Sequence, residues 1–219
     1  MKKYFQKSIL YIIFIIFLLF ITYPLFHGGF FPTMDDVQVV RVDEMSRELI
    51  AGQFPVRMIH HLAFGAGSLL FNFYGTLAYY VGSVFHILGI SLVRSTKFVF
   101  VFGYVIGGLG TFLLVRKYSD KLTGLLSSLL FLSATYLNYD VYTRGSLGEF
   151  FGFVMLPVLF WSFLRLKDQR RTTDIILAGI VLCSSIISHP LTAVMGCLFL
   201  ILLILILPFQ RNNFLPLLF

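Results

Sequence analysis

Residues 98–137 read FVFVFGYVIGGLGTFLLVRKYSDKLTGLLSSLLFLSATYL, two long apolar runs hinged on the basic turn Arg116-Lys117-Tyr118-Ser119-Asp120-Lys121. A helix that is hydrophobic on every side needs an apolar surround, so two such runs in succession read as a pair of membrane helices. The same reading extends outward to the whole chain. Of its 219 residues 58% are hydrophobic and 12% charged, and mean hydropathy is +0.89. Soluble domains average about 45–50% apolar and about 25% charged residues. Runs at Ile9–Phe26, Phe150–Leu164, Ile175–Ile187 and Leu191–Leu207 join Phe98–Val115 and Leu122–Leu137. The longest approach or reach the roughly 20 residues needed to cross a hydrocarbon core. The shorter ones gain length from polar residues at their ends. The expected fold is all-α, a polytopic transmembrane helix bundle of about six spans forming a single membrane domain over residues 1–219.

The first run follows Lys2, Lys3 and Lys7, as a cleaved leader would. Its apolar core is longer than a leader's, and Tyr23-Pro24 and bulky phenylalanines stand where a small-x-small cleavage site would be. It is expected to be a retained helix. Cys183 and Cys197 lie inside apolar runs without metal-ligand spacing and read as small hydrophobes in a bundle. The net charge of +7 does not point to nucleic acid, since Lys and Arg in a membrane protein chiefly report orientation.

The basic residues cluster at Lys2/Lys3/Lys7, at Arg116-Lys117 with Lys121, at Arg165, Lys167, Arg170 and Arg171, and at Arg211. Keeping every cluster in the cytoplasm requires an even number of crossings between successive clusters, and the six runs supply two in each gap. That closes only if Leu77–Val93 (LAYYVGSVFHILGISLV) stays in the interface, where its tyrosines suit the headgroup region. Both chain ends are then cytoplasmic in a multi-pass cell-membrane protein. Residues 27–97 form a long external loop, and short external turns follow at Asn138–Glu149 and Ser188–Thr192. Gly103 and Gly107 have GxxxG spacing, which admits a closely packed neighbour.

The unusual polar residues then share the external face. Asp35-Asp36 precede VQVVRVDEMSRELIAG, in which Val42, Met45 and Leu49 recur at helical spacing before a stop at Gly52. Aspartates there either cap that helix or serve as a carboxylate that holds a divalent cation or takes a proton from a hydroxyl. Ser146 and Glu149 have capping-box spacing. Arg144, with Asp140 nearby, either snorkels to the interface or grips a phosphate in bidentate fashion. His189-Pro190 ends a helix with an imidazole that is a ligand, a base or a polar cap. His60-His61 diverge as neighbours and make a poor chelate, and no zinc spacing, phosphate loop or dinucleotide fingerprint occurs.

The order of GGFFPTMDDVQVVR, GQFPVR, FNFYGTLAYYVG, STKFVF, RKYSDK, YDVYTRGSLGE and ISHP resembles a bacterial membrane protein family described as "6-pyruvoyl-tetrahydropterin synthase-related domain; membrane protein", of whose longer members this chain is similar to the amino-terminal part. True pyruvoyl-tetrahydropterin synthases are soluble zinc enzymes, whose composition and histidine ligands this chain lacks. Its organisation instead resembles the GT-C superfamily of glycosyltransferases that use polyprenyl-phosphate sugars. That resemblance implies transfer of a sugar at the outer membrane face, with Asp36 or Asp35 as metal ligand (Mg or Mn) or general base. It implies that Arg57 and Arg144 meet the lipid phosphate, and that Glu149 and His189 line the same cavity. The alternative is a non-catalytic polytopic protein, a lipid-handling or assembly subunit. A transporter is disfavoured by the near absence of charge within the runs.

Overall fold

The computed structural model describes residues 2–206, with side chains from residue 9 onward. Leu207, Arg211 and the expected cytoplasmic carboxyl end lie outside the described residues. Lys2–Thr22 is α1, which tightens into a 3₁₀ turn at Tyr23–Phe26 where Pro24 occupies the first turn. Gln38–Ile50 is α2, Leu70–Phe73 α3, Leu77–Ile87 α4 and Leu92–Arg116 α5. Lys121–Leu132 is α6, Thr135–Tyr139 α7, Leu147–Gln169 α8, Thr172–Ser188 α9 and Pro190–Ile206 α10. Among the described residues the only extended pairing is a single bridge, Ile59 with Ser68. The class is all-helical, as the composition predicts. Three stretches, Ile9–Phe26, α5 and α8, are long and apolar enough to cross a membrane.

The expected run Leu122–Leu137 is not one helix. α6 stops at Leu132 after 12 residues, a rise of about 18 Å against the roughly 30 Å of a hydrocarbon core. The chain turns at Ser133-Ala134, resumes in α7 and widens into a π-type turn over Asp140–Arg144, which Gly145 ends at φ +71°. Asn138 makes the break tolerable. Its Nδ2 donates to the carbonyls of Leu132 (2.9 Å) and Ala134 (3.0 Å), and its Oδ1 accepts from the Tyr104 hydroxyl (2.7 Å). The Leu132 carbonyl, orphaned at the end of α6, thus finds a side-chain partner.

The centre of the bundle is a parallel contact between α5 and α8. A Cβ at Gly103 would lie 2.3 Å from Phe150 Cε1, one at Gly107 3.0 Å from Val154 Cβ, and one at Gly110 2.5 Å from Val158 Cγ2. Three glycines at helical spacing therefore receive three side chains of α8, itself spaced four residues apart. α6 packs on α5 beside α8: Phe131 lies 2.9 Å from a Cβ at Gly107, and Ser128 Oγ donates to the Gly108 carbonyl at 2.6 Å.

Contacts between elements define two ends. Lys117 pairs with Asp168, so the α5–α6 and α8–α9 turns lie together at a basic end. Tyr142 donates to the Ile21 carbonyl, and Thr76 N–H donates to Ile187 O at 2.7 Å. The end of α1, the unwound turn, the long loop and the α9–α10 turn therefore lie together at the other end, the loop end. Here α5 starts six residues before the expected Phe98. Lys97 on it is buried and donates to His27 O at 2.7 Å, satisfying a carbonyl beyond α1.

The segment Leu77–Val93 is not one continuous helix. α4 is 11 residues long and ends in a turn at Gly89, with Ala78, Tyr79, Gly82 and Ser83 buried. The amphipathic α2 packs on it through Val42 and Met45, both fully buried. At the far end of α2, Gln53 N–H donates to Glu48 O and Gly52 N–H to Leu49 O, with Gly52 at φ +88°. This is the left-handed stop that the sequence predicts at Gly52. The expected aspartate cap at its start is absent, since the N-cap is Val37 and no side chain caps it.

Leucine at Gly107 would have to enter space held by Phe131 and Val154. Overpacking of this kind costs about 1–3 kcal/mol or more. Gly107→Leu is expected to lower the melting temperature of the detergent-purified protein and to broaden its gel-filtration profile. Gly179→Ala, where nothing lies within 4 Å of an added Cβ, is expected to leave both unchanged.

Candidate functional site

The unwound turn between α7 and α8 carries the densest charge at the loop end. Arg144 is four residues after Asp140 and five before Glu149, so one guanidinium sits between two carboxylates. Its Nη1 lies 2.7 Å from Asp140 Oδ1 and 2.6 Å from Glu149 Oε2. Tyr136 donates to Glu149 Oε1 and receives Arg144 Nη1 at 3.3 Å. Asp140 is fully buried, and its Oδ2 has no hydrogen-bond partner. Burial, aided by the charge of Glu149 and opposed by Arg144, pushes its carboxyl up to about 6. The Arg144 side chain stays about a third exposed, at 34%.

Ser146 and Glu149 do not form the expected capping box. Ser146 is the N-cap of α8 without a side-chain hydrogen bond, because Glu149 is drawn instead to Arg144 and Tyr136. A charge-assisted pair with a guanidinium outcompetes a carboxylate–amide bond at a partly exposed helix end.

The first loop is fastened to this turn through the backbone. Met34 N–H donates to Thr143 O and Asp35 N–H to Arg144 O, each at 2.9 Å. A Cβ at Gly145 would meet Thr33 Oγ1 at 2.6 Å, so the two segments touch. Asp35 then enters a closed polar ring. Its Oδ2 accepts from Gln38 Nε2 (2.6 Å) and faces Arg41 Nη1 (3.4 Å). Arg41 Nη1 also donates to the Tyr79 hydroxyl (3.2 Å), which donates to Gln38 Oε1 (2.7 Å). The Arg41 guanidinium lies 4.6 Å above the Tyr74 ring. Asp36 is exposed and makes no hydrogen bond or ion pair with the described residues.

The third contributor is the α9–α10 turn. His189 is extended, its Nδ1 2.6 Å from Thr192 Oγ1. Cβ atoms built at Gly75, Gly148 and Gly152 would meet Ser188 O at 1.8 Å, Ser188 O at 3.5 Å and His189 Cβ at 2.7 Å. The absence of side chains at these glycines seats the turn against α8 and the loop before α4. Burial holds the His189 imidazole below its usual range, against the pull of the Glu149 charge.

Five of the six residues singled out from the sequence thus gather at the loop end: Asp35, Asp36, Arg144, Glu149 and His189. Arg57 does not join them. It is exposed, its N–H bonded to Gln53 Oε1 just past the far end of α2, about 20 Å of helix from Asp35. That end is a separate clasp in which Glu48, 3% exposed, accepts from Gln53 Nε2 and from the N–H and ring of His60. Burial raises the Glu48 carboxyl, but the His60 hydrogen bonds outweigh it and hold it below its ordinary value. Sequence reasoning passed over Gln38, Arg41, Tyr79 and Tyr136. No local spacing marks them, since Tyr79 is 38 residues from Arg41 and Tyr136 sits beyond a helix break. Asp35 is committed to Gln38 and Arg41, which leaves Asp36 as a lone carboxylate. No three His, Cys, Asp or Glu side chains cluster as ligands among the described residues.

The chain belongs to the family described as "6-pyruvoyl-tetrahydropterin synthase related domain; membrane protein", whose model matches residues 71–219. It is similar to an uncharacterized protein of Lactococcus lactis subsp. cremoris, strain MG1363, with 28% identity over 212 residues. That match covers 93% of this chain and 34% of the relative, so the chain spans about a third of the relative's length. No solved structure matches it.

An acid whose folded-state pKa is raised favours the protonated folded form, so its stabilisation is present at low pH and lost as pH rises from about 4 to about 6. Asp140→Asn removes that loss. The melting temperature of the variant relative to wild type is therefore expected to climb between pH 4 and pH 6.5, by the equivalent of at most about 3 kcal/mol. A flat difference across that range counts against a protonatable Asp140.

Proposed function

We propose that this chain is the amino-terminal module of a GT-C-like glycosyltransferase, which moves a sugar from a polyprenyl-phosphate carrier to an acceptor at the outer membrane face. The observation that carries the reading is the backbone pairing of Met34 and Asp35 with Thr143 and Arg144. It brings an exposed first-loop carboxylate to the same end of the bundle as a partly exposed arginine and a histidine. In this reading Asp36 takes the proton from the acceptor hydroxyl as that oxygen attacks the anomeric carbon. The bond from anomeric carbon to phosphate oxygen breaks, and the lipid phosphate leaves with the electron pair. Arg144 holds that phosphate, which displaces Glu149 from the guanidinium while Asp140 stays beneath it. Asp35, tied into the ring with Gln38, Arg41 and Tyr79, positions the loop.

Orientation follows from the charge of the two ends. The basic end carries Arg116, Lys117, Lys121, Arg165, Lys167, Arg170 and Arg171 against Asp120, Asp168 and Asp174. Placed in the cytoplasm it makes the loop end external. α6 with α7, α9 and α10 complete the crossings beside α1, α5 and α8 in a multi-pass arrangement of about six. A second reading has its own support. Arg144 already has two carboxylate partners, which is how an arginine that only clamps a structure is satisfied. In that reading the chain is a non-catalytic lipid-handling or assembly subunit.

Membranes containing the chain, or the full-length relative, supplied with labelled short-chain polyprenyl-phosphate hexoses separate the two. Sugar transfer is expected from wild type, with a loss of about 10²–10⁴-fold in Asp36→Asn at unchanged folded yield. Full activity in both Asp35→Asn and Asp36→Asn sinks the proposed chemistry. No transfer from any hexose by either wild-type protein favours the subunit.

A further inference from the structure

The guanidinium of Arg144 is shared unevenly. Asp140 Oδ1 at 2.7 Å, Glu149 Oε2 at 2.6 Å and the Tyr136 hydroxyl at 3.3 Å all meet its Nη1. No hydrogen bond from Nε or Nη2 falls on a described residue, and the side chain is partly exposed. That edge of a guanidinium is the one that grips an oxyanion with two parallel N–H bonds.

Charge sets a condition on such a ligand. One guanidinium neutralises one anion, and two carboxylates already surround this one. Glu149 is partly exposed and is free to leave for water. Asp140 is not, because it is fully buried. Ionised, it holds the cation against any incoming anion. Its Oδ2, buried and without a partner, is the place for a proton, since a proton there leaves the Oδ1 contact with Arg144 intact. Burial brings that protonation close to neutral pH, at about 6. Around Asp140 lie Arg144 and Tyr136 of its own segment, Glu149 from α8, His189 from the α9–α10 turn, and Asp35 with Asp36 on the first loop. Asp35 is held by Gln38 and Arg41, and Tyr136 donates to Glu149. His189 also gains charge on acidification, and a variant separates its effect below.

We propose that Asp140 is the proton switch of an anion site at Arg144: a phosphate oxyanion binds the Nε–Nη2 edge as Asp140 takes up one proton from solvent on Oδ2. The inference rests on the assignment of Arg144 to the lipid phosphate made above and adds the regulation of that contact. Anion and proton favour each other, because an ionised Asp140 repels the ligand and a bound ligand raises the cost of ionising Asp140. The coupling also suits departure of the lipid phosphate. As its oxygen takes the electron pair from the anomeric carbon the phosphate gains a negative charge, and a neutral Asp140 lets Arg144 meet that charge undivided.

The test follows binding of citronellyl methyl phosphate, a diester of fixed single charge, to the detergent-purified chain by calorimetry between pH 5.5 and pH 7.5. Affinity is expected to rise about fivefold as pH falls across that range, which lies above that of ordinary carboxylates. At pH 7, titrations in two buffers of different ionisation enthalpy are expected to show net proton uptake on binding. Asp140→Asn is expected to keep the tighter affinity at every pH without uptake, while His189→Gln keeps both the slope and the uptake. Sulfate, ionised throughout, is expected to show the same slope at lower affinity. A slope seen with the diester and not with sulfate assigns the effect to the prenyl chain and overturns the proposal. Loss of the slope in His189→Gln overturns it in favour of the imidazole. Wild-type affinity that does not change with pH, or binding without proton uptake, overturns the coupling and leaves Arg144 as the phosphate contact. Failure to bind at any pH, or unaltered binding in Arg144→Gln, overturns the contact and the coupling together. No readout here uses sugar transfer, so failure of the enzymatic reading is seen separately.

Discussion

The structure at the loop end hangs on the contact between α5 and α8. Gly103, Gly107 and Gly110 form a groove that Phe150, Val154 and Val158 fill, and in lipid such close packing is the main attraction available to a helix pair. With that face of α8 fixed, its other faces are fixed too. Gly148 and Gly152 turn towards the Ser188-His189 backbone, while Glu149 and Phe153 turn towards Tyr136, whose ring packs edge-on to Phe153 at 5.2 Å. One helix thereby brings the α9–α10 turn and the unwound turn together.

The second constraint is electrostatic. A buried Asp140 with one unpartnered oxygen is costly unless a cation stays close, and Arg144 is that cation. Its remaining valence goes to Glu149, which ties the last residue of the turn to the first turn of α8. The same turn presents the carbonyls of Thr143 and Arg144 outward, because a π-type turn does not use them internally, and Met34 and Asp35 take them. A helix break therefore does two things at once. It exposes backbone that captures the first loop, and it concentrates charge where that loop arrives.

Several local signals in the sequence were real but outcompeted. Ser146-x-x-Glu149 has capping-box spacing, and Asp35-Asp36 precede a helix, yet neither pair caps. In both cases the carboxylate found a longer-range or charged partner: Arg144 for Glu149, Gln38 and Arg41 for Asp35. Signals that depend only on backbone conformation or on steric room held. Gly52 ends α2 in the left-handed region, and Gly103 and Gly107 admit a neighbouring helix. The run Leu122–Leu137 reads as continuous because hydropathy sums over residues and is blind to a break that Asn138 and Tyr104 repair.

What the sequence by itself determined is the class and the periphery: an all-helical membrane chain, its basic turns, the helical stop at Gly52, and the glycine groove. These follow from composition and from spacing within a few residues, which act locally. The tertiary structure alone decided that Asp35 and Asp36 lie at the same end of the bundle as Arg144, Glu149 and His189 while Arg57 stays at the far end of α2. It also decided that Gln38, Arg41 and Tyr79 hold the loop in place. Those arrangements depend on which helix faces meet and on backbone groups released by a break. Neither is encoded in any stretch short enough to read one residue at a time.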